Sequence, residues 1–320
     1  ETLVVSTWGL NEDILMETVI EPFEKEYDVK VVLETGSTVE RFTKLKENPQ
    51  TEVDVIELSQ SMAYEGYDLG LFEPLDESKV PNIAFLIESA QDLQKQNGYG
   101  PAYVVNSIGI IYHPDRIKAS INTWDDFWNP SLGKRLAIPD ITTTFGPAII
   151  DLAADLARTP IQEDQGKKAF EKLADLKPQV VKTYAKSSDL AMMFANDEID
   201  AAIVGDFAYG VIKEAEEKVE YLVPQSFTYA NFNTMEVNKH SKKKDLAYQF
   251  INYRLDKETQ AITSPALNEA PVNKEVVLDE QVVGNMTYGP VAQRARALDY
   301  GVINPLMPEW IDQFNRLMNH

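Results

Sequence analysis

The sequence predicts an α/β protein built as two lobes. The first observation is a repeated grammar near the start. Apolar, β-branched runs at Leu3–Thr7, Val29–Leu33 and Val53–Leu58 are each followed by a small polar junction and a helical pattern. A mostly parallel sheet with helical crossovers reads this way, and its binding positions lie where the strands end. The second observation is the stretch Tyr99–Pro114, Y-G-P-A-Y-V-V-N-S-I-G-I-I-Y-H-P. It is rich in β-formers and bounded by Pro101 and Pro114, which cannot donate to a ladder. Its centre, Asn106-Ser107 with Gly109, is polar and flexible. It reads either as a core strand with a bulge at 106–109 or as a strand that leaves one lobe at Asn106 and enters a second. A third observation tips the balance. Asn231-Phe232-Asn233-Thr234-Met235-Glu236-Val237 is another strand-like run with polar residues where a core strand is apolar. Two such runs fit the two strands of a hinge.

The elements follow in order. Asn11 is placed to cap a helix carrying Ile14, Leu15, Val19, Ile20 and Phe23,. Gly36-Ser37-Thr38 opens a helix with Val39, Phe42 and Leu45, and Ser59-Gln60-Ser61 opens one with Met62 and Tyr64. Leu71–Asp76 reads as a surface turn. In T-W-D-D-F-W-N-P, the aromatics Trp124, Phe127 and Trp128 have helical spacing and read as a packing face, with a ligand platform as the alternative,. Leu136–Ile138 is a strand that runs into Pro139-Asp140-Ile141-Thr142-Thr143-Thr144-Phe145-Gly146 before an apolar helix. One threonine suffices for a cap, so three also suggest hydroxyls presented to a ligand. A charged helix spans Glu163 to Leu176, Val180–Tyr184 is a strand, and Ser187-Ser188-Asp189 caps the next helix. Asp200–Val204 is a strand ending at Gly205-Asp206, where Asp206 is either a helix-dipole charge or a ligand contact. Helices follow at Lys244–Leu255 and Lys257–Thr263. Ser264–Asn273 is a rigid polar loop, and the last helix carries Trp310, Ile311, Phe314 and Leu317.

Composition narrows the function. A chain of 320 residues suits two lobes, and 44% hydrophobic with 25% charged residues is ordinary for a globular protein,. A net charge of -21 argues against nucleic acid and against charge-driven binding to anionic membranes,. With no cysteine there is no disulfide, thiolate catalysis or cysteine metal site,. His113, His240 and His320 are far apart and outside any H-E-x-x-H motif, so no metal site is expected,. No nucleophile elbow or phosphate loop is present, and neither catalytic residues nor a cofactor are expected. No apolar run is long enough to span a bilayer. Glu1 directly precedes a strand, as expected for a mature or trimmed product,.

The order of these segments resembles extracytoplasmic solute-binding proteins of ABC importers, in the group that includes spermidine/putrescine-binding proteins. The residues that carry the likeness are the opening strand ending in Trp8, V-D-V-I-E-L-S-Q-S at 53–61 and the Y-V-V-N-S-I-G-I crossing. T-W-D-D-F-W-N-P with Gly133, N-D-E-I-D-A-A-I-V at 196–204 and N-E-A-P-V-N at 268–273 complete it. The resemblance implies a two-lobed periplasmic-binding-protein-like fold of type II, with two crossover strands forming the hinge. Lobe one is expected at 1–105 plus 232–277 and lobe two at 107–231 plus 278–320, with a ligand cleft between them. It implies a monomer that is no enzyme and binds no nucleic acid. Such a protein works outside the cytoplasm, periplasmic or anchored at the cell surface, and passes a small-molecule solute to a membrane permease. An enzyme or a non-transport receptor on the same fold are the alternatives.

By position, and by the strand ends above, the ligand-binding residues are Trp8, Ser37, Ser59, Gln60, Ser61, Asn106, Asp140, Thr142, Thr143, Thr144, Asp206, Asn231, Asn233 and Glu269. The chain departs from the polyamine pattern. Ser61, Val204 and Asn231 stand where aromatics are expected, and Asn233 and Thr144 where acids are. No Tyr-Tyr pair of the ferric-ion binders is present. Only Asp140, Asp206 and Glu269 add charge to the set, and no Lys or Arg is in it. The expected solute is therefore small, polar and amine-bearing, polyamines included. The alternative is an anionic phosphate or phosphonate type at Thr142–Thr144.

Overall fold

The computed structural model describes residues 1–9, 11–97 and 100–319, with backbone alone at 96 and 97. Tyr99 and His320, both noted above, lie outside the described residues. Among the described residues there are ten strands: β1 Thr2–Thr7, β2 Lys30–Thr35, β3 Val55–Ser59, β4 Ala102–Tyr112, β5 Leu136–Pro139, β6 Val180–Tyr184, β7 Ala201–Gly205, β8 Glu220–Leu222, β9 Thr228–Val237 and β10 Ala295–Ala297. The chain divides into two compact units, Glu1–Val105 with Phe232–Gln293 and Asn106–Asn231 with Arg294–His320. The chain passes between them within β4, after Val105, and within β9, after Asn231. The second return comes after Gln293, not after residue 277. Tyr288 explains the difference: its hydroxyl donates to the Val276 carbonyl at 2.9 Å and accepts from the Leu278 N–H at 3.2 Å, tying this segment to the first unit.

In the first unit β1 lies parallel to β2 and β3, and β9 runs antiparallel to β3 from Val55↔Val237 to Ser59↔Asn233. Leu3, Val5, Val55, Ile56 and Leu58 are buried, as strands covered on both faces require,. Asn11 does not cap its helix through its side chain; it stands in the left-handed region at φ 54°. The helix that follows carries a π turn at Met16–Ile20, next to Pro22, which has no N–H to give a regular turn,. Val39 is exposed, whereas Leu71 and Phe72 of the expected surface turn are buried. The first part of the expected loop is helix: Lys257–Leu267 runs through Pro265 and ends at Asn268 in the left-handed region.

In the second unit β5 is parallel to β6 and β7, and β4 is antiparallel to β7 and β8. The ladder of β4 with β7 keeps unbroken register from Ile108 to Tyr112. Gly109 is therefore no bulge. A Cβ there would meet the Tyr221 ring at 2.4 Å, so the glycine makes room for that ring. Trp124, Phe127 and Trp128 are buried, a packing face. The charged helix is broken into Ile161–Asp164 and Lys167–Leu176 by Gln165 and Gly166, both with positive φ. Trp310 causes the break. Its ring lies against Gly166, and its Nε1 donates to the Gln165 carbonyl at 2.9 Å.

Candidate functional site

In the second unit three parallel strands end side by side at Pro139, Tyr184 and Gly205. Loop segments after these ends enclose a cavity of about 300 Å³, lined by Thr142, Thr143, Thr144, Phe145, Ser187 and Phe207 among others. This is the carboxyl-end position where open α/β sheets bind ligands. Among the described residues no charged side chain lines the cavity. Two helices start on its wall, Gly146–Leu156 and Ser187–Ala195, and neither has a side-chain cap at its N-cap residue. Ser187 is thus the first residue of its helix rather than the cap expected from sequence. Helix starts of this kind present N–H groups and a partial positive charge.

The threonine turn is built locally. The Asp140 carboxylate accepts from the Thr142 N–H at 3.0 Å and from the Thr142 hydroxyl at 2.7 Å. The Thr143 hydroxyl donates to the Asp140 carbonyl at 2.7 Å. Two of the three threonines and Asp140 therefore shape the turn, and Thr144 is exposed with no protein partner among the described residues. Asp206 is buried and accepts from the Asn106 amide at 3.1 Å, so these two candidates are brought together. Asn231 is buried at the end of the second unit's part of β9.

In the first unit Ser59 and Asn233 are register partners at the end of the β3–β9 ladder. Ser59 starts the helix Gln60–Asp68 without using its hydroxyl as a cap, and Gln60 is buried behind it. Ser61 is half-buried on the same helix. Ser37 has a structural task. Its hydroxyl accepts from the Glu40 N–H while the Glu40 carboxylate accepts from the Ser37 N–H, a full capping box. Trp8 is half-buried, and the Arg41 guanidinium lies 4.7 Å over its ring. The cation on that ring face is the protein's own.

Behind these residues lies a buried polar network of which the sequence-derived set holds only Glu269. Arg41 donates to the carbonyls of Ser6, Gly36 and Glu57. The Glu57 carboxylate accepts from the hydroxyls of Thr7 and Tyr103. Arg254 stacks 4.9 Å from the Tyr103 ring centre and pairs with Glu269 at 3.3 Å. Burial, then the Glu57 charge, push the Tyr103 hydroxyl well above its ordinary value. Burial also pushes the Glu269 carboxyl up, against the pull of Arg254. Two arginines stand against two glutamates, so the network is balanced. The candidate set itself holds no Lys or Arg, but Arg41 and Arg254 stand beside two of its members. Their guanidiniums reach Trp8 and Glu269 from other elements, which spacing cannot show. The visible signal was Glu57 inside an apolar strand, since a buried charge needs partners. Ser187, Phe145 and Phe207 were also missed; each follows a strand end, the grammar used for the other candidates.

No helix among the described residues is long and apolar enough to cross a membrane. The family model of bacterial extracellular solute-binding proteins matches residues 18–287. The putrescine-binding periplasmic protein PotF of Escherichia coli is 27% identical, over 95% of this chain and 88% of its own. A gamma-aminobutyric acid-binding protein of Pseudomonas aeruginosa is 24% identical, over 85% and 76%. A crystal structure of an ABC transporter from Clostridium perfringens is 52% identical, covers 99% of each chain and superposes with a TM-score of 0.95. The fold is thus the mixed α/β periplasmic-binding-protein fold. The role is that of a solute-binding protein of an ABC transporter, not of an enzyme, with a solute and the transporter as partners. On these grounds the chain belongs to the family of bacterial extracellular solute-binding proteins.

Proposed function

We propose that this protein captures a small organic solute bearing both an amine and an oxyanion group, and delivers it to an ABC permease. The observation that carries the reading is the cavity of the second unit. It offers hydroxyls and two uncapped helix starts and no carboxylate, a surface that suits a carboxylate or phosphonate better than an ammonium group,. The names of the relatives supply the amine: putrescine and gamma-aminobutyric acid share one, and the latter adds a carboxylate. Thr144 and Ser187, with the N–H groups of the two helix starts, take the oxyanion, while the Thr142 and Thr143 hydroxyls stay with Asp140 and hold the turn. Of the acid candidates, Asp206 lies in the same unit as the cavity and takes the amine, while Glu269 stays in the set paired with Arg254. Trp8, Ser59, Gln60, Ser61, Asn106, Asn231 and Asn233 complete the set, and Ser37 is left to its helix cap. Selectivity comes from pairing: a solute lacking the oxyanion leaves donors unsatisfied.

Polyamine binding is the second reading, favoured by the similarity to PotF along most of the chain. Calorimetric titration with 3-aminopropylphosphonate, gamma-aminobutyric acid and putrescine separates the two. The first reading expects one of the two oxyanion compounds to bind at least about tenfold more tightly than putrescine, about one charge-assisted hydrogen bond. Tight binding of putrescine alone overturns it.

A further inference from the structure

Phe207 is a large apolar side chain left 50% exposed beside the cavity of the second unit. It is not loosely placed. Its ring stacks on the buried Phe145 ring, with centroids 6.0 Å apart and planes within 11°. Both rings line the cavity with the threonine turn and Ser187. The residue before Asp206 explains how the ring is seated. Gly205 has φ −73° and ψ 148°, a conformation any residue adopts. Its backbone therefore does not call for glycine; the space around it does. A Cβ at 205 would lie 2.5 Å from Phe207 Cε1 and 3.0 Å from Phe145 Cδ2. The missing side chain thus leaves the gap in which the ring pair fits.

We infer that Phe207, seated by Gly205, is the specificity wall of this cavity: it packs against the short methylene chain next to the solute's oxyanion. This rests on the oxyanion reading above and adds what that reading leaves open, the chemistry of the adjoining carbons. The hydroxyls and helix starts can hold a charged head, but they give nothing to an apolar segment. An aromatic face with half its surface in water does, since covering it removes apolar area from water. A bare oxyanion such as phosphate occupies the polar positions without touching the ring. The wall therefore discriminates an alkyl carboxylate or phosphonate from the inorganic ions of the medium.

The test is a calorimetric double-mutant cycle with Phe207→Ala, Gly205→Ala and the double variant. Each is titrated with 3-aminopropylphosphonate, gamma-aminobutyric acid and inorganic phosphate, after its melting temperature confirms folding. Phe207→Ala is expected to weaken the best carbon-bearing compound about tenfold and to change phosphate less than about twofold. Gly205→Ala is expected to give a similar loss, because its methyl displaces the ring. The double variant is expected to be little worse than Phe207→Ala alone, because the nearer collision partner is gone and only the Phe145 contact at 3.0 Å remains,. Unchanged binding of the carbon-bearing compounds by Phe207→Ala overturns the inference. So do equal losses for phosphate and the carbon-bearing compounds, which make the ring a support of the turn. If the unaltered protein binds none of the three, the oxyanion reading has failed and the inference falls with it; that outcome is visible before any variant is made.

Discussion

Glu236 lies on β9, 1% exposed, and is held by two neutral donors, the Gly100 N–H at 3.1 Å and the Thr234 hydroxyl at 2.9 Å. Burial pushes its carboxyl up to about 8, against the pull of those hydrogen bonds. Such a group favours the folded state fully below its unfolded value near 4.5, and the benefit drains away as pH rises towards 8,. Glu236→Gln keeps the shape and removes the titration. Unfolding in urea should show the wild type losing stability between pH 5 and pH 8 while the variant loses less; parallel slopes would refute the assignment. Trp8 poses a different question. A tryptophan after an apolar strand was legible as a strand-end ring, but Arg41 beneath it was not, because the two are joined only by the fold. Trp8→Ala should lower affinity for the best solute about tenfold, and cost little stability beyond a cation–π contact of about 1 kcal/mol. Full affinity in the folded variant would remove Trp8 from the site.

At the scale of elements, local chemistry was readable where it was self-contained. Ser37 with Glu40 and Thr123 with Asp126 complete their capping boxes within four residues, so both helix starts could be read from the chain,. The break at Gln165–Gly166 could not. The helical pattern runs through it, and the ring that holds it open belongs to Trp310, far along the chain. The Asp140 turn lies between these cases. Three threonines signalled a site, yet the structure spends two hydroxyls on the turn and leaves those of Thr144 and Ser187 to the cavity. Ser37→Ala separates the two uses of a strand-end serine. Loss of the N-cap hydroxyl should cost about 1 kcal/mol in urea unfolding and leave solute affinity unchanged. A fall in affinity without loss of stability would return Ser37 to the binding set.

At the scale of the molecule, the order of strands and helices was legible because each βα repeat announces itself, and the β4 and β9 crossings because polar residues interrupt apolar runs. The cavity was not, because its wall comes from three strand ends distant in sequence. The return at Gln293 was hidden for the same reason: the Tyr288 hydroxyl bonds that fix it span ten and twelve residues of chain. Net charge is the property that composition alone determines. At -21, with 51 acidic against 30 basic side chains, like charges outnumber the partners available to them. Salt acts on two opposing quantities. It weakens the ion pairs, of which exposed ones such as Lys79–Asp245, Lys218–Asp115 and Arg316–Asp312 are worth about 0–1 kcal/mol each,. It also screens the repulsion among the unbalanced carboxylates, whose reach shrinks from about 30 Å at 0.01 M to about 8 Å at 0.15 M ionic strength. The excess of one sign makes the second effect the larger. The melting temperature should therefore rise between 10 mM and 300 mM sodium chloride at pH 7, and rise less at pH 5, where partial protonation has already reduced the repulsion. A melting temperature that falls with salt at pH 7 would mean that the ion pairs, not the net charge, govern the electrostatic stability of this protein.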